Sequence, residues 1–282
     1  MTSLLFPRET LLHVVKTLPA APQILARLGK MRLDPTSDLN DVTALLKCDA
    51  SLTTRIIRIA NTPAYSVGVP YASLEQALAR VGFGEIYRIA GFAAVSQMTN
   101  QSLREYGITG ARLRENSLLS ALLMESLAGY AGIDPSEAYS VGLLRSIGKI
   151  AIEGFIRDSI HREAFDPRSG RMLAEWEKGM TGFTNCEAGA FVLNEWHFPS
   201  DVCAAIAAHY KPEAEAPESS LAHLLNIAAG TAEVLGFGIQ GEEPYWGHSK
   251  SKWAVAGIDE KQLEAASKVA MNHFAKLRAA VG

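Results

Sequence analysis

Two cations, Arg145 and Lys149, stand four residues apart in the segment Arg145-Ser146-Ile147-Gly148-Lys149. On a helix that spacing puts two side chains on one face, although Gly148 between them weakens the helix there. Cations side by side in a pocket need compensation. A buried carboxylate would supply it. Otherwise an anion, such as the phosphate of a nucleotide, could fill the site. Metal chemistry finds less material, because His209 and the remaining histidines (His13, His161, His197, His223, His248 and His273) show no HxxxH or HxH spacing on a plausible helix. Nucleophilic catalysis is no better served: there is no GxSxG elbow and no Walker loop, and Gly82-Phe83-Gly84 lies between expected helices rather than at a strand-to-helix turn. Cys48, Cys186 and Cys203 sit in apolar helical contexts that suit core packing. Glu187 is accounted for by reciprocal capping with Thr184.

The elements that must position these residues read as helices. Apolar residues recur at steps of three and four, as in Leu39, Val42, Leu45 and Leu46, and long alternating runs are missing. The expected fold class is therefore all-α, with multiple helices at about 8–16, 22–32, 38–47, 51–61, 73–81, 84–100, 110–130, 135–145, 148–157, 169–179, 185–196, 199–209, 219–235 and 259–280. Capping spacings mark several starts: Ser73 with Gln76, Asp134 with Glu137 behind Pro135, Thr184 with Glu187, and Asp259 with Gln262. Asp34-Pro35, Thr62-Pro63 and Gly68-Val69-Pro70 punctuate loops, and Lys211 to Ser220 reads as an acidic surface loop. Residues 238–257 read as irregular, pinned to the helices by Tyr245, Trp246 and Trp253, with ligand stacking as the alternative. A shift in charge and composition near 101–112 divides the chain into two packed helical subdomains, 1–105 and 106–282.

The 282 residues, 48% of them hydrophobic, suffice for a sizeable core. Three cysteines without a CxxC pair make poor disulfide or zinc-knuckle material and suit a reducing cytoplasm. The opening MTSLLFPRETLLHVV lacks the basic-then-apolar form of a signal peptide, and no apolar stretch matches a membrane span, so a cytoplasmic protein without membrane attachment is expected. Net charge is −3, divided as +5 over residues 1–114 and −8 over the remainder. The basic residues are spread over several helices without interleaved aromatics, so solvated faces explain them and nucleic acid is not the expected partner.

LPAAPQIL at 18–25, DLNDVTALLKCDASLTTRIIRIANTPAYS at 38–66 and SLEQALARVGF at 73–83 together resemble the HDOD family. GLLRSIGKIAI at 142–152, CEAGAFVLNEWHFP at 186–199 and AAIAAHY at 204–210 continue the resemblance, which covers about residues 15–230. It implies a bacterial signal-transduction regulator that works through contacts with other signalling proteins, often in cyclic-dinucleotide, motility or stress pathways. A partner face is expected at the end of the helix near 51–61 and the loop after it, through Arg55, Arg58, Asn61 and Tyr65, against the plainer reading of a helix connection.

HDOD proteins are similar to HD-domain metallophosphohydrolases, whose His-Asp-x-Gly-Lys motif helps hold divalent metal. Here Arg145-Ser146 stands in place of His-Asp, and a guanidinium neither loses its proton nor tolerates a neighbouring dication. By the same resemblance Asn116 falls where the first His would lie, Asn185 where a later His would lie and Asn226 where the final Asp would lie, leaving His209 as the residue of ligand type; the pocket so vacated would gather Arg145, Ser146, Lys149, Asn185, His209, Asn116 and Asn226, with the neutral side chains offering hydrogen bonds around an anion. The expectation is a binding protein with no catalytic residues, no metal and no cofactor. A metal-dependent phosphohydrolase with an altered site and a nucleic-acid-binding regulator are the alternatives.

Overall fold

Asp38, Asp49, Ser73, Thr109, Asp134, Thr184, Ser219, Ser249 and Asp259 each stand one residue ahead of a helix, and each side chain accepts an N–H of its first turn. Those bonds satisfy donors that a helix start leaves without partners, so the chain is cut into helices by local chemistry. In the computed structural model, residues 8–18, 21–34, 36–66, 68–157, 159, 162–247 and 249–280 are described. The first half holds α1 (Arg8–Thr17), α2 (Ala21–Leu33), α3 (Leu39–Lys47), α4 (Ala50–Ala60), α5 (Leu74–Val81) and α6 (Phe83–Met98). The second holds α7 (Gly110–Ala131), α8 (Pro135–Leu144), α9 (Ile147–Arg157), α10 (Leu173–Thr181), α11 (Asn185–Glu195), α12 (Ser200–Ala208), α13 (Pro212–Glu215), α14 (Ser220–Ala232), α15 (Lys250–Ala256) and α16 (Glu260–Ala279). Among the described residues there is no strand, only one antiparallel bridge between Leu103 and Ile108, so the class is all-α as expected.

Helix α7 lies along α8, α14 and α16, while α9 lies along α11, which in turn packs on α12. Buried apolar side chains form one cluster that runs from Leu11 to Leu277. The turn at Leu103–Ile108, where a subdomain boundary is expected, carries a fully buried Tyr106, and the core continues on both sides of it. Helix α4 shows how the pattern becomes packing. Leu52, Ile56 and Ile59 are spaced to fall on one face, and all three are buried against α6.

Four local expectations differ from what is seen. The helix expected at 169–179 begins at Leu173, because Pro167–Ser169 form a separate short turn closed by Gly170 at φ 75°. The acidic stretch 211–220 contains α13, started by Pro212 at its first position. The segment 238–257 contains α15, capped by Ser249. Cys48 is exposed at the end of α3 rather than in the core, while Cys186 is buried and Cys203 half-buried. Pro35, His161 and His248, named in the sequence reading, lie outside the described residues.

Candidate functional site

Helix α8 ends at Leu144, so Arg145 leaves its last turn and Lys149 enters from the first turns of α9. Gly148 does not interrupt α9; it lets α9 touch the start of α11. A Cβ at Gly148 would lie 1.8 Å from the carbonyl oxygen of Asn185, a backbone contact no small shift relieves. That approach brings Asn185 beside Lys149. A strap from Gly238 to Gly247 crosses the same region and turns at Gly241, whose φ of 84° and lack of a side chain let it lie against Phe165. The turn delivers Glu242 inward, with Glu242 N–H donating to the Ile239 carbonyl (3.1 Å) and Tyr245 N–H to the Glu242 carbonyl (2.9 Å).

Glu242 meets both cations. The Arg145 guanidinium grips it with two parallel bonds, Nη1 to Oε1 at 3.0 Å and Nη2 to Oε2 at 2.8 Å. Lys149 Nζ donates to Oε1 at 2.6 Å and the Tyr210 hydroxyl to the same oxygen at 2.8 Å. The remaining donors of Arg145 go to Asn116 Oδ1 (2.5 Å) and Ser120 Oγ (3.3 Å), and those of Lys149 to Asn185 Oδ1 (3.0 Å) and the Tyr210 oxygen (2.7 Å). Arg145, Lys149 and Glu242 all have zero exposure, so water reaches none of them. Trp246 lies 5.5 Å from the guanidinium, and Tyr210 stacks on Tyr245 at 4.0 Å, which roofs the cluster with aromatic rings.

A second carboxylate backs the first. Glu177 on α10 accepts from the Tyr106 hydroxyl (2.9 Å), the Asn185 N–H (2.8 Å) and Asn185 Nδ2 (3.0 Å). Burial raises the Glu177 carboxyl pKa against the opposing pull of Lys149 and the Asn185 bonds. For Glu242 burial also works against ionisation, but Arg145 and then Lys149 outweigh it and hold the carboxyl well below the usual carboxylate range. The same burial pushes the Tyr210 hydroxyl and the Cys186 thiol well up.

His209 is fully buried, and its Nδ1 is 2.7 Å from the Ile206 carbonyl, which fixes the proton on that nitrogen. Burial and then the Arg145 charge push the imidazole down to about 3. Its Nε2 and the Ser146 hydroxyl are buried without a hydrogen-bond partner among the described residues. Asn226 is spent structurally, donating from Nδ2 to the carbonyls of His209 (2.7 Å) and Tyr245 (3.1 Å) and accepting from Lys252 (2.7 Å). Asn116 donates to the Phe237 carbonyl at 2.7 Å while accepting from Arg145.

These residues do not fit a divalent metal. Of the positions that would carry ligands, three hold asparagines already engaged on both ends, and a fourth holds a guanidinium beside an ammonium, so a dication would face two like charges at hydrogen-bond range. Among the described residues, no three His, Cys, Asp or Glu side chains converge on a point where an ion could sit.

Of the seven residues expected to share a pocket, Arg145 and Lys149 meet on a carboxylate that the sequence did not point to, and Asn116 and Asn185 bond to them; Asn226 is tied instead to the His209 and Tyr245 carbonyls and Lys252, and the Ser146 hydroxyl and His209 Nε2 make no hydrogen bond among the described residues. Glu242 has no periodicity to mark it; its only signals are the flanking Gly241 and the aromatic pair Tyr245-Trp246. Glu177 left a clearer trace, since it stands four residues after Leu173 and four before Thr181 on the buried face of α10. The expected partner face is less uniform. Asn61 closes its loop by holding both the carbonyl (2.9 Å) and the N–H (2.6 Å) of Tyr71. Tyr65 is half-buried beneath Lys276 of α16, 4.1 Å from its ring. Arg55 is half-buried, and Arg58 and Val69 are exposed.

The sequence pattern of the HDOD domain matches residues 18–212. An uncharacterized protein of Treponema pallidum (strain Nichols) is 21% identical over 267 residues, 92% of this chain and 50% of its own length, so the chain spans about half of that relative. Among solved structures, an HDOD domain protein of unknown function from Geobacter sulfurreducens superposes with a TM-score of 0.68 at 20% identity, covering 97% of this chain and 98% of its own. A candidate phosphohydrolase from Shewanella amazonensis SB2B gives 0.66 at 25% identity over 96% and 97% of the two chains. A candidate signal transduction protein from Marinobacter aquaeolei VT8 gives 0.68 at 18% identity over 96% of this chain and 64% of that one.

Proposed function

The chain belongs to the HDOD domain family, and on that premise we propose that it is a non-catalytic regulator in bacterial signal transduction, acting in the cytoplasm by binding signalling proteins or a small ligand. One observation carries this reading: the Arg145–Glu242–Lys149 cluster is sealed, with both cations turned onto a carboxylate of the same chain. A hydrolase needs an open, electrophilic position for a phosphate and a water. Here that volume holds a carboxylate of the same chain, and a phosphate could reach Arg145 only by displacing Glu242. Signalling relatives fit the same reading, since one solved neighbour is named for signal transduction. No helix among the described residues is long and apolar enough to cross a membrane, which fits partners met in solution.

The two helical halves, 1–105 and 106–282, act in this reading as one body, with protein contacts made by the exposed side of α4 and the loop after it. Arg58 leads that face; Asn61 and Tyr65 shape it. The name of the Shewanella neighbour favours a second reading, a phosphohydrolase with an altered site. Incubating the full chain with Mn2+, Fe2+ or Zn2+ and a panel of cyclic dinucleotides and nucleoside phosphates separates the two. We expect no turnover above a protein-free blank and no stoichiometric bound metal. Metal-dependent turnover that disappears in His209→Ala would establish the second reading instead.

A further inference from the structure

A cleft of about 670 Å³ opens between the end of α6 with the Leu103–Ile108 turn on one side and α9 with Arg162 on the other. Its size is that of a small-molecule site. Arg104, Arg157 and Arg162 line it together with Asn100, Gln101 and Ser102. Two carboxylates, Glu105 and Glu153, also face it; the Arg157 charge acts on Glu153, so Arg104 and Arg162 are the cations on which the cleft's appeal to an anion rests. The Glu153 carboxylate is occupied by backbone, accepting the N–H of Arg104 (2.7 Å) and of Glu105 (3.1 Å). Those bonds fasten the turn to α9 and build the cleft wall before any ligand arrives. The Leu103–Ile108 bridge and the bond from Phe165 N–H to the Glu105 carbonyl (2.7 Å) stiffen the same wall.

We propose that this cleft, rather than the sealed cluster around Arg145, is a binding site for a small phosphorylated polyol or sugar phosphate. The proposal extends the small-ligand half of the reading above and does not depend on whether the chain hydrolyses anything. Guanidinium groups match phosphate oxygens in geometry as well as charge. Asn100, Gln101 and Ser102 carry the amide and hydroxyl groups that bind hydroxyls, and Glu105 adds an acceptor for them. Among the described residues no aromatic ring lines the cleft, which favours a sugar or polyol over a nucleobase that would need a stacking surface. The cleft joins residues from both halves of the chain, so a ligand there bridges the end of α6 and α9.

Isothermal titration of the full chain with glycerol 3-phosphate, ribose 5-phosphate and glucose 6-phosphate, against inorganic phosphate and AMP, tests the assignment. At least one sugar or polyol phosphate should bind tenfold or more tightly than inorganic phosphate and AMP. That binding should fall at least tenfold in Arg104→Ala/Arg162→Ala, whose altered side chains are exposed. Ser102→Glu, which puts a carboxylate on the wall, should abolish it independently. The proposal is overturned if none of the three outbinds inorganic phosphate, if AMP binds best, or if both variants bind as the wild type does. Each result leaves the turnover assay above untouched, so the two failures are distinguishable.

Discussion

Glu242 and Glu153 are both carboxylates set beside arginine, yet one closes a site and the other builds one. Glu242 is sealed from water and pairs with side-chain cations, so Arg145 and Lys149 are turned onto it and closed to a ligand. Glu153 lines an open cleft and accepts backbone N–H groups, so Arg104 and Arg162 at its edge keep their charge for a ligand. A count of charges would rank the two places alike. What distinguishes them is which groups the carboxylate satisfies and whether water reaches the remainder.

The comparison is broken most directly by Glu242→Gln. It removes the compensating charge but keeps the shape, leaving two buried cations to share one neutral acceptor. A loss of about 3–5 kcal/mol is expected, the range for breaking a buried ion pair from one side. Urea denaturation monitored by circular dichroism measures it. The triple change Arg145→Met/Lys149→Met/Glu242→Leu should recover most of the loss, because replacing a buried ionic cluster by apolar groups is often near neutral. Equal stability of wild type and Glu242→Gln would mean that the cluster is not sealed in solution.

This asymmetry explains what the sequence made legible. Helix starts announce themselves within four residues, so Thr184 with Glu187 and Asp259 with Gln262 could be read directly, and both close as full capping boxes. Ser73 is the partial case: its hydroxyl caps the Gln76 N–H, but the Gln76 side chain turns to Ala72 instead. The gathering of Asn116, Arg145, Lys149, Asn185, His209 and Asn226 was legible only through the family resemblance, since their helices are separated by tens of residues. Glu242 was not legible at all. It reaches the cluster 93 residues after Lys149, on a strap shaped by a glycine turn rather than by a repeating pattern. The choice between a carboxylate and a free anion could be posed from Arg145 and Lys149, but naming the carboxylate required the fold.

His209 sharpens the comparison on the closed side, through pH. The unfolded chain binds a proton on this imidazole near its ordinary 6.5, whereas the buried ring in the native chain resists it down to about 3. A depressed folded value means that its stabilising contribution is present above 6.5 and is lost as pH falls toward 3. At pH 5 the loss is about 2 kcal/mol, from roughly 1.4 kcal/mol for each unit below the ordinary value. Glu177 works in the opposite sense, because its raised carboxyl binds a proton more readily folded than unfolded. Comparing wild type with His209→Asn cancels that contribution along with the other titrating groups. The variant should lose about 2 kcal/mol less than the wild type between pH 7 and pH 5. Parallel pH profiles would show that His209 is hydrated in solution.

The smallest effect is expected on the open side, from Glu153→Ala. Its carboxylate accepts two backbone N–H groups, so removing it orphans two donors, as Glu242→Gln leaves two cations short of a partner. The outcome differs because the donors differ. An amide carries no net charge, and Arg104 is exposed at the edge of the cleft, where water can replace the lost acceptor. Exchange of a protein hydrogen bond for one to water leaves a net loss of about 1 kcal/mol. The local signature should be larger than the global one. The turn held by Glu153 loses its tie to α9, so hydrogen exchange at the Arg104 and Glu105 amides should accelerate while that of Asn185, bonded to Glu177 inside the sealed cluster, stays slow. A loss as large as that of Glu242→Gln would mean that water does not reach the Glu153 wall, and the cleft would then be closed in solution.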